Sequence, residues 1–384
     1  VAEVVVPWSP RLQAYNPSED AQRPLRRGLA WDLLVHSGML DRPEIITVDP
    51  PSATAAQLER VHAGAYIKAV QRYSADPQRS MEWEAGQWGF VPGMDTVARI
   101  GMHEAASDVC GAAITGARAV WHGPGRAFCP APAGLHHAMA NRASGFCIYN
   151  DCAVAVRELL DLGARRVAYI DIDAHHGDGV QWIFYSDPRV LTISVHEFAY
   201  GFFPGTGGIE ETGSGEGEGA SLNVPLPPFA GDIPYLAAFE RVIVPAVTAF
   251  HPDVLVVHLG ADVHHADPLA HLQVTIPALE EIYTGLVDLA ERTSDGRLLA
   301  IAGGGYNPMT LGSLWALQLG ALSGNPAPGA LPDHWRSAAR TALGAEPPLD
   351  LREETSISAD PERRVVADQE GLERVADAAA RIRR

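Results

Sequence analysis

Residues 167–180 read Val-Ala-Tyr-Ile-Asp-Ile-Asp-Ala-His-His-Gly-Asp-Gly-Val, an apolar run that ends in acids and histidines before glycines turn the chain. In an open α/β sheet, ligands bind beyond the carboxyl ends of strands. Asp173 and His175 are two residues apart, so on extended backbone their side chains leave from the same face. A carboxylate and an imidazole so placed supply two ligands to one divalent cation, with a third to come from elsewhere. Asp, His and Gly are also ordinary turn residues. Yet Asp171, Asp173, His175, His176 and Asp178, buried together, would repel one another and resist desolvation unless a cation compensated them.

Asp262 ends the run Val-Leu-Val-Val-His-Leu-Gly-Ala-Asp (254–262) and is the candidate third ligand, because parallel strands finish along one sheet edge. Two carboxylates and one imidazole leave a position open for water. His136 and His137 follow a Pro/Gly loop, and Asp171 and Asp178 are candidate carboxylate partners that would orient their rings. Gly303-Gly-Gly-Tyr306 closes another apolar run. Its glycines, Gly304 among them, let backbone approach a substrate closely, and Tyr306 offers a neutral hydrogen-bond donor. The Lys-Ser/Thr ending of a phosphate loop is absent.

Strands are expected at 3–6, 166–171, 190–195, 254–259 and 298–302, alternating with helical periodicity at 153–162, 235–250 and 279–292. This order predicts an α/β fold with one open, mostly parallel sheet and helices on both faces. Residues 205–219 form a Gly/Glu-rich loop with almost no apolar residues and are expected to be exposed. After about residue 325 the composition shifts to Pro, Ala and charge, and 372–382 reads as a peripheral helix. We therefore expect a catalytic domain over 1–325 and an extension, 326–384, packed on it or at an interface.

The 384 residues are 47% hydrophobic, enough for a large core. No stretch approaches the roughly 18 uninterrupted apolar residues of a membrane helix, and the start lacks a signal-peptide pattern. The expectation is a cytoplasmic protein without membrane contact. Cys110, Cys129, Cys147 and Cys152 form no Cys-x-x-Cys pair and are expected to be packing residues in a reducing compartment. The net charge of −18 argues against direct nucleic-acid binding and for cationic substrates or basic protein surfaces. Lys68 is the sole lysine. Oligomeric state is not legible.

Taken in order, Gly-Leu-His-His-Ala (134–138), Ala-Ser-Gly-Phe-Cys (143–147), the run from Tyr169 to Val180, Phe-Phe-Pro-Gly-Thr-Gly (202–207), Gly-Ala-Asp (260–262) and Gly-Gly-Gly-Tyr-Asn (303–307) resemble the zinc-dependent histone deacetylase superfamily. The likeness is greatest to its bacterial acetoin-utilisation (AcuC-like) branch, and it includes His62-Ala-Gly-Ala-Tyr66-Ile67. The resemblance implies an arginase/deacetylase-type fold and hydrolysis of the acetyl amide of acetyl-lysine in proteins or peptides. It implies Zn²⁺, with Fe²⁺ left open, on Asp173, His175 and Asp262. His137 would be general base and acid, with Asp178 as its partner. His136 would be the neighbouring electrostatic histidine, with Asp171 as its partner. Tyr306 would stabilise the oxyanion. Phe146 and Phe203 would line a tunnel with Leu269 near its mouth, and Asp95 would hold substrate backbone at the rim. Asp171, Asp173, His175, Ser194 and Val195 would form an inner K⁺ site, partly through main-chain carbonyls. Arg26 falls at an internal-channel arginine.

Two departures stand out: no proline follows Asp95 closely, and the family's N-terminal His-Pro element is replaced around Arg23-Pro24. Three rivals share parts of the pattern. A binuclear manganese ureohydrolase would need further bridging carboxylates, and Gly260 stands where one would fall. An acetylpolyamine deacetylase would use the same mechanism behind a different gate, where Leu269 replaces a carboxylate. An acetyl-lysine binding module without catalysis would not need the full set of His136, His137, Asp173, His175, Asp262 and Tyr306.

Overall fold

Apolar runs rich in Val, Ile and Leu become parallel strands buried on both faces, the pattern expected when helices cover a sheet from either side. The computed structural model describes residues 1–18, 22–91, 93, 95–130, 132–353, 357 and 359–382, the side chains of 22–24 excepted. The departure at Arg23-Pro24 thus lies outside the described side chains, as does Met94 beside Asp95.

The strands are β1 (Val4–Pro7), β2 (Ile45–Val48), β3 (Arg126–Cys129), β4 (Val167–Asp171), β5 (Val190–Glu197), β6 (Ser221–Leu226), β7 (Val254–Leu259) and β8 (Leu298–Ala302). They form one eight-stranded sheet in the order β2-β1-β3-β8-β7-β4-β5-β6, and every pairing is parallel. The α/β class with a single parallel open sheet is as expected. β7 and β8 have the expected bounds, and β1, β4 and β5 lie within two residues of theirs. β2, β3 and β6 were not anticipated. β6 contains Asn223 and Pro225, residues that disfavour strands, but it lies at the sheet edge, where a proline need not break a ladder. β3 is only four residues long and opens on Arg126, a buried guanidinium that donates to Leu322 O at 2.5 Å and pairs with Glu291.

The three expected helices occur as Asp151–Asp161, Ile276–Thr293 and a helical run from Asp232 to Phe250 with a π turn at Phe239–Ile243. Among the described residues that last run alone is long and apolar enough to cross a membrane. Here it packs on the helix Pro361–Ala379. Helices Gln22–His36, Gly64–Ala75, Met102–His122 and Leu311–Ser323 complete the layers.

Beyond residue 325 the chain is more structured than a single peripheral helix at 372–382. Asp333–Leu343 lies against Gln22–His36, where Trp335 Nε1 donates to Leu29 O at 2.7 Å. Pro361–Ala379 lies along β6, where Arg374 donates to Pro225 O at 2.7 Å. Asp368 accepts from Gly231 N at 2.7 Å. Starting the helix at 372 misplaces its first turn, because Gly371 interrupts the pattern although Asp360 caps the helix eleven residues earlier through Glu362 N. The loop at 205–219 also differs from expectation. Gly207 and Gly208 are buried, with Glu211 accepting from Gly207 N at 3.0 Å and Gly208 N at 3.2 Å, whereas Gly205 and residues 214–216 are exposed.

Candidate active site

β4, β7 and β8 are neighbours in the sheet, so the segments leaving their carboxyl ends meet. Asp173 and His175 follow β4, Asp262 follows β7, and Gly304 and Tyr306 follow β8. His175 Nδ1 lies 3.1 Å from Asp173 Oδ1 and 3.1 Å from Asp262 Oδ2. One donor atom from each of these three residues lies within 4.8 Å of the others, which suits one metal ion. The backbone organises the group: His175 N donates to Asp173 Oδ1 at 2.9 Å, and Ala174 N donates to Asp262 Oδ1 at 2.9 Å. Burial opposes charge on all three. Burial and the Asp173 charge raise the Asp262 pKa, whereas the neighbouring His136 and His258 and a hydrogen bond from His175 overcome burial and hold Asp173 well below the usual carboxylate range. Burial likewise opposes charge on His175, but Asp173 and Asp262 hold its pKa well above the ordinary imidazole value.

Gly304 closes this cradle. Its N–H donates to Asp173 Oδ2 at 3.0 Å, and a Cβ at this position would meet Asp262 Oδ2 at 2.2 Å and Asp173 Oδ2 at 2.6 Å. Gly304→Ala is expected to weaken metal retention about tenfold or more by displacing both carboxylates. Competition with a chromophoric chelator measures this, and unchanged affinity would show that the carboxylates do not hold the ion.

The histidine pair is positioned from three sides. His136 Nδ1 donates to Asp171 Oδ2 at 2.8 Å, and His137 Nδ1 lies 2.7 Å from Asp178 Oδ1. The two rings are 3.9 Å apart between centroids. Asp171 also accepts from Tyr169 OH at 2.7 Å and Asp173 N at 3.1 Å, so its orientation is fixed. Burial raises the Asp178 pKa to about 6, and burial together with the neighbouring His136 lowers that of His137 well below the usual value. Asn150 and Asp151, at the start of the helix Asp151–Asp161, hold the loop that carries the pair. Asn150 Nδ2 donates to His136 O at 3.1 Å and Ala138 O at 2.9 Å, while Asp151 accepts from Gly134 N at 2.9 Å and Leu135 N at 2.6 Å. Their signature is visible in Tyr-Asn-Asp before an apolar helix, since Asn150 also caps it through Ala153 N.

Beneath that loop the buried His62 accepts from Asn150 N at 3.0 Å through Nε2, so its Nδ1 proton faces Met139 O at 3.0 Å. Burial lowers its pKa to about 4. The unfolded chain protonates near 6.5 and the folded chain does not until about 4, so this stabilisation is complete above pH 6.5 and is lost as pH falls towards 4. The loss amounts to roughly 3 kcal/mol. Denaturant midpoints of His62→Gln between pH 7 and 4 should fall less steeply than those of the wild type; parallel curves would remove His62 as the cause.

Tyr306, His136, His137, Phe146, Asp173, His175 and Gly304 line one pocket, with Arg26 and Arg27 also in its wall. The Arg26 guanidinium lies 4.9 Å from the centre of the Tyr306 ring. Tyr306 N donates to Asp267 Oδ2 at 2.7 Å, and the other oxygen of Asp267 accepts from Leu269 N at 2.9 Å. One carboxylate therefore joins Tyr306 to the exposed Leu269. Phe203 meets the His137 ring edge-on at 4.8 Å. Phe202, which sequence reasoning passed over, stacks on His175 at 5.0 Å and 10°. Phe146 has φ 67°, a left-handed conformation unusual for an aromatic residue, and is held by Thr96 Oγ1 at its N–H and by Tyr15 OH at its carbonyl.

Asp95 is placed differently from a free rim carboxylate. Oδ2 accepts from Gly145 N at 3.0 Å and Oδ1 from Thr96 Oγ1 at 3.1 Å, so it pins the turn before Phe146. Ser194 lies beside Asp171 in the β4–β5 register, and its Oγ is 2.9 Å from His196 Nδ1; Val195 follows, buried. His176 binds away from the pocket, with Nδ1 2.9 Å from Thr206 Oγ1 and Nε2 donating to Gln181 Oε1 at 3.1 Å. It ties the 205–219 loop to the helix Asp178–Phe184.

Sequence reasoning also missed His258, the one ionisable residue within the apolar β7 run and the register partner of Asp171. It is fully buried, and its Nε2 lies 3.3 Å from Asp173 Oδ2. Burial disfavours its charge, but Asp171 and Asp173 outweigh burial and raise its pKa to about 9.

The Asp-His-Asp group could hold a metal ion beside the paired histidines, an arrangement able to support metal-dependent hydrolysis. Residues 20–322 match the histone deacetylase domain, and the chain belongs to that family. It is a hydrolase of the deacetylase type. It is 39% identical over 355 residues to the acetoin utilization protein AcuC of Bacillus subtilis (strain 168), covering 90% of each chain. It is 37% identical over 313 residues to AcuC of Staphylococcus xylosus, covering 81% of this chain and 80% of that one. AcuC of Staphylococcus aureus (strain MSSA476) is 38% identical over 283 residues, covering 74% of this chain and 72% of the relative.

Proposed function

We propose that this deacetylase hydrolyses the acetyl amide of acetyl-lysine in proteins, releasing acetate and free lysine. The observation that carries the reading is the meeting of Asp173, His175 and Asp262 with the His137–Asp178 pair and Tyr306 around one pocket. Two carboxylates and an imidazole fit Zn²⁺, and glycine at 304 spares both carboxylates a clash with a side chain. The bound ion would supply Lewis acidity, lowering the pKa of water to about 7 and polarising the acetyl carbonyl. Fe²⁺ is the alternative occupant, distinguished by metal analysis of anaerobically purified protein.

The side chains then divide the work. His137, its Nδ1 side fixed by Asp178, presents Nε2 to take the proton of the attacking water and later to return one to the departing amine. His136, oriented by Asp171, lies beside it and stabilises developing charge. The Tyr306 hydroxyl donates to the oxyanion. Phe146 and Phe203 flank the lysine methylenes. Asp171, Asp173, His175, Ser194 and Val195 would hold K⁺, which would offset the buried negative charge beneath the site. Asp95 acts at the rim by shaping the Phe146 turn, with substrate backbone as its second partner. Residues 1–325 carry the chemistry, and 326–384 steady the sheet edge and the helix Gln22–His36. The four buried free cysteines fit a reducing, cytoplasmic setting. The charge of −18 fits neither nucleic acid nor an anionic membrane as a direct partner.

Acetylpolyamines are the second reading. Leu269, 47% exposed, supports acyl-lysine, because a carboxylate there would favour a second substrate ammonium. Acetyl-lysine peptides and acetylpolyamines should be compared with and without chelator, with bound metal measured. Peptides are expected to be the better substrates, and chelator should stop acetate release. A large kcat/KM advantage for polyamines would overturn the assignment. Guanidine hydrolysis would support the ureohydrolase rival, and metal binding without acetate release would favour an inactive binder.

A further inference from the structure

A second set of buried donors lies behind Asp173. His258 is 0% exposed; its Nε2 is ion-paired with Asp173 without hydrogen-bond geometry, and its Nδ1 makes no hydrogen bond to a described residue. Leaving a buried polar group without a partner costs about 1–3 kcal/mol. The ring faces that of His136 at 4.5 Å, and its Nε2 is 3.3 Å from Asp173 Oδ2. His136 Nδ1 is engaged by Asp171, so its other ring nitrogen, Nε2, is the one that faces Asp173, 3.9 Å from Oδ1. One donor atom each from His136, Asp173 and His258 lies within 4.8 Å of the others. About a tetrahedral ion with bonds near 2.0–2.1 Å, donors lie roughly 3.3 Å apart; His258 Nε2 already stands at that distance from Asp173 Oδ2, whereas the 3.9 Å contact of His136 Nε2 is to Oδ1, so His136 must close on the ion. Asp151 and Asp171 add negative charge around the same point.

We propose that His136, Asp173 and His258 form a second divalent-cation site, with Asp173 shared between the two ions. Its Oδ1 addresses His175 and its Oδ2 addresses His258. Two imidazoles and a carboxylate select a borderline ion such as Zn²⁺ or Co²⁺ over Mg²⁺ or Ca²⁺. Because the extra donors are imidazoles, two ions per chain would not by itself identify a ureohydrolase. An ion here occupies His136 Nε2, so the doubly loaded chain should turn over more slowly than the singly loaded one; that consequence rests on the deacetylase reading.

The test is a count of bound metal. Full-length protein is stripped of metal, dialysed against Zn²⁺ or Co²⁺, and analysed for metal per chain, with circular dichroism to confirm folding. The wild type is expected to hold two ions and His258→Gln one. His258→Asn is a second variant should the first not fold. A single ion in the wild type at saturating metal, or two in a folded His258 variant, overturns the proposal. Acetate release by the wild type at one equivalent is read separately. No acetate release at one equivalent, alongside two bound ions at saturation, would sink the acetyl-lysine reading and leave the second site standing.

Discussion

Tyr306→Phe is expected to lower kcat for acetyl-lysine hydrolysis by about 10²–10³-fold, corresponding to a loss of roughly 3 to 4 kcal/mol from one oxyanion donor. The substitution removes one oxygen and keeps what seats the residue: the backbone N–H on Asp267 and the ring beside Arg26. Metal content and melting temperature should therefore not change. The donor acts in the transition state, so KM should move far less than kcat. Near-normal kcat in a metal-loaded variant would remove Tyr306 from the mechanism.

Asp173→Asn should have the larger effect, because Asp173 is common to both candidate ion groups. Replacing it with an amide is expected to empty the chain of tightly held metal and to lower turnover by about 10³-fold or more, since Lewis-acid assistance is worth several kcal/mol. A structural cost comes with it. Gly304 N and His175 N both donate to this carboxylate, and an amide can accept from only one side, leaving a buried N–H without its acceptor at about 1–3 kcal/mol. Metal analysis and acetate release decide the matter, with melting temperature as a third readout. Retained metal with retained turnover would place the ligands elsewhere.

The sequence reveals ligand groups better than it reveals their supports. Asp173, His175, Asp262 and Tyr306 lie at the ends of apolar runs, where strand periodicity and chemistry change together; Asp173, His175 and Tyr306 line one pocket, and Asp262 meets Asp173 and His175. His258 stood in the quoted 254–262 run but inside the strand rather than at its end. Its importance comes from facing Asp171 across the β4–β7 pairing, a register that one strand cannot disclose. Phe202 was masked by Phe203 beside it, since adjacency does not tell which ring stacks on His175. Asp267 looked like a turn residue before proline, although its two oxygens join Tyr306 to Leu269. Among the elements, β3 is too short to show a period, and β6 carries residues tolerated only because it ends the sheet. Met102–His122 is Ala-rich and was passed over, although its burial is extensive.

The strand order carries a consequence for how the molecule is made. β1, β2 and β3 form one triplet and β4, β5 and β6 another, and both are complete in the chain by Leu226. They do not touch as sheets. β7 and β8, the last strands to leave the ribosome, insert between them. A nascent chain can thus build two half-sheets with exposed inner edges, one followed by His136 and His137 and the other by Asp173 and His175. Such edges favour mispairing until they are filled. Closure joins the halves and delivers Asp262 and Tyr306 in the same event. A chain that ends before residue 298 lacks β8, the strand that joins β3 to β7, and so holds neither a continuous sheet nor Tyr306.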